Sequence, residues 1–168
     1  LEVRAAELTG KEAALFVPSG TMGNQIAISC HTKRGDEMIV GANSHIFLHE
    51  VGGAALLSGV SSRPVYGEHG VTPEDIATYM WSGDIHEPPT SLVCLENALA
   101  NGQLVSLSQM QAVYQKAKEY GLAVHTDGAR IFNAAIALGV AVKDLAAATD
   151  SMMFCVSKGL AAPVGSLL

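Results

Sequence analysis

The feature that most constrains this chain is an alternation. Short apolar runs, bounded by glycine, proline and small polar residues, take turns with longer stretches of helical periodicity. The clearest runs are 37–40, 91–96, 122–126 and 151–156, with shorter ones at 13–17 and 63–66. Helical patterns cover 1–8, 24–31, 46–57 (weakened by Gly52 and Gly53), 73–81, 107–120, 130–138 and 143–148. Start signals are explicit: Thr72 before Pro73 reads as an N-cap, and Ser106 with Gln109 reads as a capping box. Strands that take turns with helices favour parallel pairing, because a parallel neighbour needs a crossover long enough to hold a helix. The expectation is therefore an α/β fold, a mainly parallel mixed sheet flanked by helices.

Composition bounds the partners. The chain has 168 residues, the usual size of one domain. Hydrophobic residues make up 49% and charged residues 15%, with a mean hydropathy of +0.28. Part of the surface is therefore expected to be covered by another chain or by further sequence. No apolar run approaches the roughly 18 residues of a membrane span. The net charge of -6, without a basic block, argues against nucleic acid or an anionic membrane as partner. Cys30, Cys94 and Cys155 are odd in number and far apart, and read as buried thiols of a reducing, cytoplasmic protein. The first residue is Leu1, and the last three, Ser166 to Leu168, read as the start of a strand. The expectation is one partial domain, 1–168, from the middle of a longer protein.

In open α/β sheets ligands bind beyond the carboxyl ends of the strands. Four such ends carry distinctive residues here. Pro18-Ser19-Gly20-Thr21 separates a strand from a helix and reads either as a capped turn or as a phosphate cup made of amides and hydroxyls. Ser44-His45 puts an imidazole at a helix start, where it is structural or is placed to stack on a ring or move a proton. Asp127 follows a buried run, where an unpaired carboxylate is costly. Its positive partner is Arg130 or a protonated ligand nitrogen. Ser157-Lys158-Gly159 ends the last buried run. Apolar walls there would favour the neutral amine, the form that condenses with carbonyls.

Together these residues match what pyridoxal 5'-phosphate requires: a lysine for its aldehyde, a carboxylate for its ring nitrogen, a phosphate cup and a flat group over the ring. The chain also resembles the low-specificity L-threonine aldolases, in the threonine aldolase and β-eliminating lyase family of fold-type I pyridoxal phosphate enzymes. The motifs that carry the resemblance are Phe16-Val-Pro-Ser-Gly-Thr21, Ala42-Asn-Ser-His-Ile46, Val124-His-Thr-Asp-Gly-Ala-Arg-Ile-Phe-Asn133 and Cys155-Val-Ser-Lys-Gly-Leu-Ala-Ala-Pro-Val-Gly-Ser166.

The resemblance implies a truncated large domain of that fold. It also implies a role for each position. Lys158 would bind the cofactor aldehyde, Asp127 would pair with the ring nitrogen and His45 would stack on the ring. Ser19, Gly20, Thr21 and Ser157 would hold the cofactor, and Arg130 would bind the substrate carboxylate. The implied reaction is cleavage of a β-hydroxy-α-amino acid to glycine and an aldehyde in a homodimer or homotetramer. Elimination, racemisation or an inactive cofactor-binding fragment are the alternatives. One position departs from the family pattern. Where the family reads Glu-Asn-Thr-His-Asn, this chain reads Glu96-Asn97-Ala98-Leu99-Ala100, so Leu99 replaces a histidine.

Overall fold

Near-continuous apolar runs suit strands covered on both faces. In the computed structural model, which describes residues 1–168, the central strands are buried in this way. The seven strands are β1 (Phe16–Val17), β2 (Glu37–Gly41), β3 (Ser61–Val65), β4 (Thr90–Glu96), β5 (Ala123–Asp127), β6 (Ser151–Cys155) and β7 (Ser166–Leu167). They form one sheet in the order β1-β7-β6-β5-β4-β2-β3. The five strands from β6 to β3 are parallel, and β7 runs antiparallel to both β6 and β1. This is the mixed, mainly parallel sheet expected from the alternation.

The helices are α1 (Glu2–Thr9), α2 (Gly20–His31), α3 (His45–Leu48), α4 (Pro73–Tyr79), α5 (Leu107–Glu119), α6 (Ile131–Leu138) and α7 (Val142–Ala146). The expected capping box forms at Ser106 with Gln109, and Thr72, expected as an N-cap, forms a second one with Asp75. The period-two alternation of the strands divides the core. Ile39, Val93, Val124, Met152 and Phe154 pack on the larger face with α5, α6 and α7. Met38, Val40, Leu92 and Cys94 face the other side, with Ile28 of α2 and Ile46 of α3. His125 and Asp127 alternate with Val124, so they lie on the α2 side of β5.

Three local expectations change. The strand expected over 13–17 shortens to Phe16–Val17, which pair with Leu167 and Ser166 of β7, and Leu15 exchanges backbone hydrogen bonds with Leu168 just beyond it. The helix expected over 46–57 breaks. Val51 and Gly52 take left-handed φ angles of 56° and 67°, and the chain resumes as a π-helical turn, Ala54–Ser58. Cys30 is exposed, because it lies about 200° around α2 from the buried Ile28.

Candidate active site

The start of α2 is set by Ser19. Its Oγ accepts from the Met22 amide at 3.2 Å, so the helix begins at Gly20, four residues before the expected start. Gly20 and Gly23 let this end approach β6 closely. A Cβ at Gly20 would stand 3.0 Å from Cys155 Sγ, and one at Gly23 would stand 2.7 Å from Met153 Cγ. The helix N-terminus, with its outward amides, therefore overhangs the carboxyl ends of β5 and β6.

A cavity of about 280 Å³ lies there. Ser19, Gly20, Thr21, His45, Asp127, Ser157 and Lys158 all line it. Residues from four separate chain segments thus meet around one space. Arg130 is the exception. It is exposed at the start of α6, outside this lining.

Asp127, 2% exposed, has no cation beside it. Its Oδ1 accepts from the Ala129 amide at 3.0 Å and its Oδ2 from Asn24 Nδ2 at 2.8 Å. Of the two partners expected from sequence, Arg130 is therefore not the one that meets Asp127. Lys158 also differs from expectation. The buried run ends at Val156, and Ser157 to Leu160 form an exposed turn, so the apolar walls expected around the amine are not supplied by these residues. A Cβ at Gly159 would overlap the side-chain amide of the exposed Asn133, which would have to swing aside.

His45 opens α3 and is fixed at two points. Its backbone amide donates to Glu96 Oε2 at 2.7 Å, and its ring Nδ1 lies 3.2 Å from Glu50 Oε1. A carboxylate only accepts, so Nδ1 carries the proton and Nε2 is left free of Glu50. Burial pushes the Glu96 carboxyl above its usual range and Asp127 adds to the shift, while the His45 amide opposes it. A smaller cavity of about 160 Å³ lies beyond α3, lined in part by Ser44, Glu96, Val71 and Leu99. Leu99 therefore gives this second space an apolar wall.

Three residues of the site escaped the sequence reading: Asn24, Glu50 and Glu96. A signal existed for Glu50. It stands at helical spacing between Ile46 and Ala54, an acid in an otherwise apolar stripe. Glu50 is 3% exposed and accepts from Gln25 Nε2 at 2.7 Å as well.

Comparison with known proteins gives this geometry a family. The model of the beta-eliminating lyase family matches residues 1–168. The chain belongs to that family. As a beta-eliminating lyase relative, it is 49% identical to the probable low-specificity L-threonine aldolase 2 of Arabidopsis thaliana, over 100% of this chain and 49% of that protein. It is 44% identical to the low specificity L-threonine aldolase of Escherichia coli K12, over 100% of this chain and 51% of that protein. Among solved structures, the Leishmania major threonine aldolase superposes with a TM-score of 0.80 at 25% identity, over 96% of this chain and 48% of that one. The chain spans about half the length of the curated relatives it matches. The fold is that of fold-type I pyridoxal phosphate enzymes, as the resemblance implied.

Proposed function

We propose that the full-length protein binds pyridoxal 5'-phosphate in the larger cavity and cleaves L-threonine or L-allo-threonine to glycine and acetaldehyde. The observation that carries this reading is the pairing of Lys158 with Asp127 in one cavity, the carboxylate buried and without a cation. A buried carboxylate in that state calls for a positive partner, and a protonated ring nitrogen is one. The overhanging start of α2 suits a phosphate, since free amides and the Ser19 and Thr21 hydroxyls converge there. Ser157, beside the lysine, lines the same space. When bound, the cofactor supplies an electron-accepting ring conjugated to the substrate's amino group.

The chain's own residues then divide the work. Lys158 would hold the cofactor by its aldehyde, and Asp127 would keep its ring nitrogen protonated. His45 would stack on the cofactor ring, with Nδ1 tied to Glu50 and Nε2 available to take the proton of the substrate's β-hydroxyl. The exposed Arg130 guanidinium is free to bind the substrate carboxylate as a fork. The names of the relatives from Arabidopsis and Escherichia coli support cleavage of threonine over elimination or racemisation.

Residues 1–168 form part of the large, cofactor-binding domain, and the working protein is a cytoplasmic homodimer or homotetramer. The exposed Met22, Leu48, Val51, Leu56 and Leu57 support such an association, being too apolar for an uncovered surface. No helix is long and apolar enough to cross a membrane. The test is acetaldehyde release by the full-length protein from both threonine diastereomers. Release is expected from wild type, and Lys158→Ala should lose both activity and the yellow colour of bound cofactor. Pyruvate without acetaldehyde, or a coloured Lys158→Ala protein, would overturn the proposal.

A further inference from the structure

Asn24 sits in the second turn of α2 and is fully buried. Its Nδ2 lies 2.8 Å from Asp127 Oδ2 and 2.8 Å from Glu50 Oε1. Carboxylates only accept, so both amide hydrogens are committed and Oδ1 must face the other way. There it stands 3.1 Å from His125 Nε2. An acceptor in that place requires the proton on Nε2. The lone pair of His125 Nδ1 then takes the hydroxyl proton of Ser151, whose Oγ is 2.8 Å away. Ser151 Oγ accepts in turn from His31 Nε2, also at 2.8 Å. Every bond in this row points the same way, from His31 in the last turn of α2 to the two carboxylates. Burial pushes the pKa of His125 down to about 3, so its ring stays neutral and keeps the lone pair that Ser151 needs.

Asn24 is also the one side chain that bonds both carboxylates. Asp127 faces the cofactor cavity, and Glu50 holds His45 Nδ1. A lysine in place of Asn24 would cancel one of the two negative charges. An amide instead supplies two neutral donors at a fixed angle and leaves both negative charges in place. We propose that Asn24 is a positioning residue for the pyridoxal phosphate site: its amide clamps Asp127 and Glu50 side by side, keyed in that orientation by His125. The inference rests on the function proposed above.

The test titrates cofactor-free, full-length protein with pyridoxal 5'-phosphate as wild type, Asn24→Ser and Asn24→Asp. Both variants should bind about tenfold or more weakly, the scale on which loss of a supporting hydrogen bond weakens binding in metal sites. The absorbance maximum of the bound cofactor should also shift, because the partner of its ring nitrogen is no longer held. Unchanged affinity and absorbance in the folded variants would overturn the role. Wild type that binds no cofactor would end the functional reading and this role together. Nitrogen-15 spectra of the cofactor-free wild type tell the two failures apart and need no variant to fold. Neutral His125 with its proton on Nε2 at pH 5 supports the keying, while an Nδ1–H ring or an imidazolium overturns it.

Discussion

Asp127 has both carboxylate oxygens occupied by neutral donors, the Ala129 amide and Asn24 Nδ2. Nothing around it cancels its charge, and that makes it useful to a ligand nitrogen. Asp127→Asn keeps the shape and removes the charge. The expected outcome is that the full-length variant retains some cofactor and loses at least about 100-fold in kcat, the scale of losing one electrostatic contact to a reacting centre. Steady-state kinetics check this, and undiminished turnover would refute the role of Asp127. At this scale the sequence was informative where chemistry is written in residue type. A lysine, an aspartate and a histidine at strand ends could be singled out one by one. Asn24 could not, since an asparagine inside a helical pattern reads as ordinary until its burial is known.

At the scale of elements, α2 is the piece that closes the site, and its fit against β6 depends on Gly23. Gly23→Ala would gain helix propensity of about 1 kcal/mol. The added methyl, however, would meet Met153 Cγ at 2.7 Å, in the middle of a buried side chain that cannot swing away. Overpacking of this kind costs about 1–3 kcal/mol, so the steric effect outweighs the propensity. The variant is expected to be less stable in urea and to bind cofactor more weakly, as α2 lifts off the sheet. A more stable variant would show that the contact relaxes freely. Helix α5 offers a simpler case. Ser106→Ala removes the side-chain acceptor of its capping box and should cost about 1 kcal/mol, read as a lower urea midpoint with unchanged slope. The capping box at Ser106 and the N-cap at Thr72 were legible in advance because capping is decided within four residues. The break at Val51 and Gly52 was legible only as a weak point at Gly52 and Gly53, because Glu50 is drawn inward to Asn24 and Gln25, far away in sequence.

For the whole molecule, the buried row through His125 links stability to pH. Folding lowers its pKa from 6.5 to about 3, through desolvation first and the nearby His31 second. Between those values the unfolded chain binds the extra proton and the folded chain does not. Stability from this group is therefore complete above pH 6.5 and is lost as pH falls toward 3. Glu96, raised by burial, acts in the opposite direction. Urea midpoints measured from pH 7 to pH 4 should fall, and should fall less steeply in His125→Gln. An equal slope in that variant would count against a buried neutral His125.

The sequence by itself determined the class of fold and most of the chemistry-bearing positions. Periodicity, caps and glycine breaks are local properties, and the alternation of strand and helix leaves few ways to build a sheet. Tertiary structure alone decided which of those positions share a space. Strand order set β5 beside β6, and α2 was laid across their ends. Lys158 and Asp127 were thereby brought to one cavity, Arg130 was left outside it, and Asn24 was placed between two carboxylates. These are contacts across 26 and 103 residues of chain, and only packing of the whole sheet against its helices brings such distant groups within a hydrogen bond.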